Sequence, residues 1–599
     1  MTTDILLLIG LLAVAMVMFW WERFPAEVIA LGLLLTLALA GLLPADKAFE
    51  GFGSDTVIMI LGLLILTAAL ERTGVIEIAG RTLLRYAGEN PTRLLLIIMV
   101  SAALISAFMS NTAATAFFLP IVFGVAAKSK VSPSKLLLPL AFASILSSSV
   151  TLISTSTNVV VSGQLKRHGL EPMGMFELTP VGIPIVIAGL LYLFLVRRFI
   201  PENVPGENLT EQFGVRPYLS EVIVQPDSPL VGQTLAEADL GRELGLEVLR
   251  ILRRSSASTQ HITPRASTRF EANDALLVVG TQQDLLKVKE TAGIQIRADA
   301  QLSDPDLTSE ETSLAEAVIL PGSPLIGRTL HRHRFRERHG LQVLGINHHG
   351  VNVVRKLSDT MLRLGDVLLL QGRRENIARL HESHTASVLG PVELVTQKRP
   401  RRQRAVAAVL IFVGVVAAVA LQLLSLPLAA MLGVFLVFIT GCLTPEEAYQ
   451  EVEWKAIILI GSLLSLGVAM EHTGTAKYLA QQIVDLVGPD KPFLLLTAFF
   501  AMTVFLTQPM SNQAAAIVIL PIAIQTAIHA GFNPRSFAMM IAVAASCSYL
   551  TPLEPACLMV YGPGRYRFVD FLKLGSFLTV LIYGLAILLV PRVWPLTAP

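Results

Sequence analysis

The chain has 599 residues, of which 53% are hydrophobic and only 15% charged, and its formal net charge is +2. That composition excludes a soluble globular protein, because apolar runs of about 20 residues recur, long enough to cross a bilayer as helices. The near balance of charge offers no footing for nucleic acid, and Cys442, Cys547 and Cys557 lie in apolar segments without metal-ligand spacing, which reads as small buried residues rather than redox or metal chemistry.

In chain order, "MTTDILLLIGLLAVAMVMFWWER" lacks a basic leading region and an A-x-A site and ends in aromatic residues suited to an interface. It is expected to be a retained first helix. Crossing helices are predicted near 5–21, 26–43, 55–70, 136–165 and 177–198, with 93–127 as a hairpin that enters and returns because Ser110–Thr112 and Pro120 interrupt it. A polar stretch runs from Pro201 to about Arg404, bracketed by "RRF" (197–199) and "QKRPRRQR" (397–404). Lys and Arg beside membrane helices favour the cytoplasmic side, so this insert is expected in the cytoplasm.

After the insert the apolar helices return, and they repeat the first set. "LERTG" (70–74) recurs as "MEHTG" (470–474), "SNTAATAFFLP" (110–120) as "SNQAAAIVILP" (511–521), and "SPSK" (132–135) aligns with "NPRS" (533–536), all at a shift of 400 or 401. The matching positions are polar, Gly or Pro, which chance likeness between apolar helices does not produce. Five crossings per copy with a cytoplasmic link give the copies opposite orientations, the inverted-repeat plan of secondary transporters. The loops holding Arg72, Arg81, Arg85, Lys128, Lys130 and Lys135 come out cytoplasmic; Lys166 and Arg167 fall outside, against the charge rule.

Each copy carries two interruptions. Ser110, Asn111 and Thr112 form one polar triplet and Ser511, Asn512 and Gln513 the other; "TLISTSTNVVVSG" (151–163) and "TPLEPACLMVYG" (551–562) form a second pair of breaks. In hydrocarbon, non-helical backbone is tolerated only where protein buries it or it lines a wet cavity. A broken helix presents N–H groups on one side and C=O groups on the other, so it can hold ions of both signs: Ser and Asn oxygens with carbonyls suit Na⁺, and a half-helix N-terminus suits an anion. The bland alternative is polar residues joining neighbouring helices.

These paired hairpins and breaks, with "FEGFGSDTVI" (49–58) and "GPGRYRFVDFLKLG" (562–575), resemble the divalent anion/sodium symporter family over both membrane parts. The resemblance implies a homodimer working by an elevator motion, with one Na⁺ at each hairpin tip and the anion between the tips. It implies Ser106, Ser110, Asn111 and Ser154 at one cation site and Thr507, Ser511 and Asn512 at the other. Asn111, Thr112, Thr155, Asn158, Asn512, Gln513, Thr551 and Glu554 are then expected near the anion. The chain departs from the family at Gln513, where Thr is common, and in its second loop, where Glu554 replaces Gly and aligns with Ser154. A mid-membrane carboxylate is costly and therefore a functional candidate, to be neutralised by Na⁺, a proton or a cationic group on the substrate; the alternative is a helix-end carboxylate in water.

The insert repeats internally as well: "SPLVGQTL" (228–235) as "SPLIGRTL" (323–330), "GLEVLRIL" (245–252) as "GLQVLGIN" (340–347), and "ANDALLVVG" (272–280) as "LGDVLLLQG" (364–372). The V/I/L alternation reads as strands of two small α+β units. These resemble the TrkA C-terminal (RCK-type) domains of potassium-transport regulators, which implies a dimerisation module or a regulator that binds a nucleotide or ion. No G-x-G-x-x-G is present, so a Rossmann-type dinucleotide is not expected, and His331, His333, His348 and His349 read as a solvated surface rather than a metal site.

The whole is expected to be a polytopic α-helical membrane protein of the inner (plasma) membrane, with repeats at 1–200 and 404–599 and TrkA-C-like units at 205–297 and 308–397. No enzyme motif and no phosphate-binding "GxxxxGK[ST]" is present. A sodium-coupled symporter of a small divalent anion, sulfate or dicarboxylate, is the favoured reading. The alternatives are a proton-coupled carrier of another anion or zwitterion, and a gated ion pathway or transporter-like sensor.

Overall fold

A computed structural model of the protein describes residues 2–21, 24–75, 91–129, 131–202, 219–238, 240, 247–254, 259–262, 264, 267–279, 294–297, 312–348, 351–353, 357–382, 385–389, 402–508 and 510–597. Arg81, Arg85, Lys130, His349, most of the 397–404 linker and the unit boundaries at 205, 308 and 397 lie outside these. The chain divides into a helical unit, Met1–Glu202 with Gln397–Pro599, and a second unit, Asn203–Thr396.

The helical unit begins with α1 (Thr3–Trp21), α2 (Ala26–Leu39), α3 (Asp55–Arg72), α4 (Pro91–Ser106), α5 (Asn111–Ser129), α6 (Ser134–Leu146), α7 (Ser156–Arg167) and α8 (Thr179–Leu195). After the insert the order returns as α9 (Arg402–Ala420), α10 (Leu426–Ile439), α11 (Trp454–His472), α12 (Thr475–Val487), α13 (Pro492–Thr507), α14 (Asn512–His529), α15 (Pro534–Ala545), α16 (Pro555–Tyr561) and α17 (Phe568–Val593). Among the described residues five helices are long and apolar enough to cross a membrane, and shorter apolar helices accompany them.

Two expectations need correction. The hairpin turns at residues 107–110 alone, and Pro120 lies inside a continuous α5. The segment 136–165 is not one crossing but α6, two short 3₁₀ turns (Ser147–Ser149 and Leu152–Ser154) and α7, because the serine and threonine hydroxyls there bind backbone carbonyls in competition with the helix ladder.

Packing between the copies is reciprocal. α2 packs on α11 as α10 packs on α3, and α7 packs on α14 as α16 packs on α5. Arg72 at the end of α3 lies 3.1 Å from Glu451, just before α11 begins. At the other end Lys166 pairs with Asp55, the first residue of α3, and His168 Nε2 lies 3.0 Å from Glu471 near the end of α11. α3 and α11 therefore run in opposite directions. The basic pair that breaks the charge rule is engaged here, since Arg167 also donates to the Leu464 carbonyl.

α6 and α15 are buried on all sides and form the centre of the unit. The hydroxyl of Tyr566 enters the first turn of α6, accepting from the Leu138 N–H at 2.8 Å and donating to the Ser134 carbonyl, the two groups that would otherwise bond each other. Gly182 on α8 and Gly575 on α17 press against the loops that follow α6 and α15: a Cβ at either would fall well inside contact distance of the Ser149 or Tyr549 carbonyl.

The insert holds two antiparallel sheets of one design. The first comprises β1 (Leu219–Val224), β2 (Glu247–Arg254), β3 (Thr259–Ile262), β4 (Ala275–Val279) and β5 (Ile294–Arg297), in the order β3-β2-β4-β1-β5. The second comprises β6 (Thr312–Val318), β7 (Leu341–His348), β8 (Val351–Val353), β9 (Val367–Arg373) and β10 (Ser387–Leu389), in the equivalent order β8-β7-β9-β6-β10. A β-bulge recurs at the same place, Val248/Arg250 and Val343/Gly345. The solvated-surface reading fails at His333, which is 4% exposed with its Nε2 3.4 Å from that of His339, because its short helix turns it inward beside Phe335.

Candidate functional site

The first hairpin tip is closed onto the first broken helix. Ser106 Oγ donates to Asn111 Oδ1 at 2.9 Å, and Asn111 Nδ2 donates to Ser148 Oγ at 2.8 Å. Ser147 and Thr151 donate to the carbonyls of Ala103 and Ala107 at the end of α4. Behind them, Ser154 Oγ bonds the carbonyls of Ser148 (2.7 Å) and Thr151 (2.8 Å), and Asn158 Nδ2 bonds the same two carbonyls at 2.6 and 3.0 Å. Asn158 is fully buried, yet its Oδ1 has no hydrogen-bond partner. An orphaned acceptor in an apolar interior costs several kcal/mol unless something electropositive meets it. Ser110 lies at the exposed edge of this knot and caps α5 through the Ala113 N–H.

The second tip repeats the plan with fewer ties. Ser511 caps α14 through the Ala514 N–H, and Ser548 Oγ donates to Asn512 Oδ1 at 2.7 Å, the counterpart of the Asn111–Ser148 bond. Thr507 bonds the Val504 carbonyl rather than Asn512, and Gln508 takes over the link to the loop, accepting from Thr551 at 3.1 Å. Gln513 Nε2 reaches across to Ser156 Oγ at 2.6 Å, which joins the second tip to the first residue of α7. Thr112, Thr155, Asn512, Gln513, Thr551 and Glu554 are all half-buried.

Glu554 is the N-cap of α16. Its carboxylate accepts from the N–H groups of Ala556 (2.7 Å) and Cys557 (3.4 Å), while Thr155 caps α7 in the first copy. The caps thus pair Glu554 with Thr155, one place from the Ser154 alignment read from the sequence. Replacing Glu554 by Gln keeps a cap oxygen but removes the charge. The expected result is a stable protein whose uptake profile between pH 5.5 and 8.5, or whose preference between mono- and dianions, differs from the parent; identical profiles and rankings assign Glu554 to capping alone.

Sequence reasoning missed Ser148, Ser548 and Gln508, and it placed Ser156 in the first broken helix without giving it a role. Ser148 and Ser548 were findable, since the shift of 400 relates them as it relates the loops around them.

A family model described as citrate transporter matches residues 16–544. The chain belongs to the citrate transporter family. Relatives named as a sodium/sulfate cotransporter and a sodium-dependent dicarboxylate transporter bear out the likeness to the divalent anion/sodium symporter family. An uncharacterized transporter of Synechocystis sp. is 34% identical over 96% of this chain and 95% of its own length. The uncharacterized transporter YfbS of Escherichia coli K12 is 30% identical over 99% of this chain and 100% of its own. A probable sodium/sulfate cotransporter 3 of Chlamydomonas reinhardtii is 22% identical over 88% and 82%. Among solved structures the GsuK RCK domain aligns at 11% identity over 35% of this transporter and 78% of that chain, with a TM-score of 0.14, too low to carry a conclusion about the insert. The relatives are transporters rather than enzymes, and this transporter is a membrane protein.

Proposed function

We propose that this transporter is a sodium-coupled symporter of a small divalent anion, sulfate or dicarboxylate, working in the inner membrane as a homodimer by an elevator motion. The observation that carries it is the pair of equivalent closures, Asn111 onto Ser148 and Asn512 onto Ser548, each joining a hairpin tip to the loop of a broken helix. In this reading Ser106, Asn111, Ser154 and the orphaned Asn158 oxygen hold one Na⁺, with Ser110 at its rim. Thr507, Ser511 and Asn512 hold the other. Thr112, Thr155, Gln513 and Thr551 face the anion with hydroxyl and amide donors, helped by the N–H groups that open α5, α7 and α14. The Chlamydomonas relative named as a sodium/sulfate cotransporter supports both the ion and the class of anion.

The opposite directions of α3 and α11 and the reciprocal packing support an inverted repeat, with membrane repeats at 1–200 and 404–599 and cytoplasmic units at 205–297 and 308–397. The test is uptake of labelled sulfate and dicarboxylates into liposomes holding the purified protein, with and without a Na⁺ gradient. Accumulation that needs the gradient is expected; uptake indifferent to Na⁺ overturns the coupling.

The insert regulates transport rather than performing it, through an effector such as a cytoplasmic nucleotide or ion that binds the transporter's states unequally. Joining residues 204 and 398 by a short linker is expected to leave sodium-driven uptake intact and change its control. Loss of all uptake in a folded, dimeric deletion refutes this.

A further inference from the structure

Two imidazoles of the second insert unit meet head-on. His333 ends the short helix Leu330–His333, and His339 ends the next one, Phe335–His339. Their Nε2 atoms are 3.4 Å apart, their ring planes lie within 9° of each other, and their centroids are 5.6 Å apart. That centroid distance is the N···N distance with a ring radius added at each end, so each nitrogen points straight at the other. Such a contact suits one proton held between two lone pairs, N–H···N. It does not suit a tetrahedral metal ion, toward which two lone pairs converge at an angle.

The pair closes a segment that bends twice. Arg334, between the helices, has φ 53° and Gly340, after them, φ 62°; the first is a left-handed conformation that a residue bearing a Cβ adopts only at a cost. Leu330 and Phe335 anchor the segment in the core of the unit, and the His339 ring packs on Phe335 with centroids 4.9 Å apart. His333 is buried and its Nδ1 has no hydrogen-bond partner, so the bond to His339 is what its ring gains in return for leaving water. In the first unit the aligned residues are Ala238 and Leu244, so the pair belongs to the second unit alone.

Burial holds both imidazoles below the ordinary histidine range; Arg338 adds to this at both, and His339 and Arg328 add to it at His333. The short helices pack on each other, on the 3₁₀ turn Leu357–Asp359, on β7 and on the helix Arg374–Glu382. The acidic groups described there, Glu337, Asp359 and Glu375, are exposed, as are Arg374 and Arg379, and β7 brings only His348, at its far end. One added proton leaves the contact intact, since an imidazolium donates to an imidazole. A second puts hydrogen on both Nε2 atoms and sets two like charges face to face. We propose that His333 and His339 form a proton-operated latch, closed at neutral pH, that releases the segment 330–339 from the core of the second unit on acidification. The released histidines titrate near the ordinary value of about 6.5 and the closed ones lower, so closure is fully present above about pH 6.5 and is lost as pH falls. Each proton taken up contributes up to about a factor of ten per pH unit to opening. The latch stands on this geometry; that it controls uptake rests on the regulatory reading of the insert, with the proton as effector.

The experiment is hydrogen–deuterium exchange on the full chain in liposomes from pH 7.5 to 5.0, corrected for the chemical rate, with residues 327–340 read against β9 of the same unit. Exchange of the segment is expected to quicken several-fold below about pH 6.5 while β9 stays protected. His339→Gln, at a half-buried position, keeps a hydrogen-bonding side chain without a titrating one and is expected to flatten that step. Exchange alike at both ends of the pH range, a step that survives in His339→Gln, or opening of β9 in parallel overturns the proposal. Protection at neutral pH that EDTA removes also overturns it, by assigning the pair to a metal ion. Sodium-driven uptake by the parent and His339→Gln is expected to differ only below about pH 6.5. A step in exchange with equal uptake by the two fails the regulatory reading of the insert and leaves the latch standing.

Discussion

Asn111→Ala is expected to abolish sodium-dependent uptake. The side chain is the keystone of the first tip, with Oδ1 accepting from Ser106 and Nδ2 donating to Ser148. Alanine leaves both hydroxyls buried without a partner, at about 1–3 kcal/mol each, and removes a cation ligand as well. That penalty falls on the folded tip with or without Na⁺, and the lost ligand oxygen weakens Na⁺ binding besides, so uptake at limiting Na⁺ is expected to fall by more than about tenfold. Asn512→Ala removes one bond, from Ser548, and its effect is expected to fall on transport with a smaller loss of folded yield. Uptake against Na⁺ concentration in liposomes, beside the yield of monodisperse protein, separates the two. Unchanged sodium dependence in both variants would falsify the cation assignment.

Gly182→Ala and Gly575→Ala are expected to be the most disruptive single-methyl additions in the helical unit. The obstacle in each is a backbone carbonyl, Ser149 or Tyr549, and a carbonyl cannot swing aside as a side-chain end can. Either α8 or α17 must retreat, opening a void in a packed core, or the loop must shift; Ser149 adjoins Ser148, which holds Asn111. Uptake is expected to fall by about tenfold or more, on the 1–3 kcal/mol typical of overpacking, with a lower unfolding temperature. Gly584→Ala, on the same α17 but with open space around it, is the control and should behave as the parent. Equal behaviour of Gly575→Ala and Gly584→Ala defeats the argument.

The hairpin tips were legible because Ser110–Thr112 and Ser511–Gln513 are polar islands in apolar runs, and the medium gives such islands high contrast. The insert strands were legible for the opposite reason: alternating Val, Ile and Leu bounded by Gly and Asp stand out from a polar background, and β2, β4, β7 and β9 fall on the repeated stretches. Pro120 misled because proline breaks isolated helices, whereas buried neighbours allow α5 to continue through it. The role of Ser148 depends on a partner 37 residues away, which no local pattern encodes. Glu554 was matched one residue off because capping geometry, not sequence spacing, decides which residue opens a half-helix. His333 looked exposed amid arginines, but side-chain direction on a four-residue helix turns two of its residues, Leu330 and His333, into the core.

The hydroxyl of Tyr566 in the first turn of α6 also bears on the order in which the protein is made. Leu138 finds its partner 428 residues later in the chain. During synthesis the first half must therefore wait in the membrane with that turn incomplete while the entire insert and most of the second half emerge, and the central helix is finished nearly last. Contacts of such long sequence separation slow folding and prolong exposure of unfinished surfaces. Among the described residues each insert sheet pairs within its own unit, so these sheets are free to fold while the membrane half is still waiting.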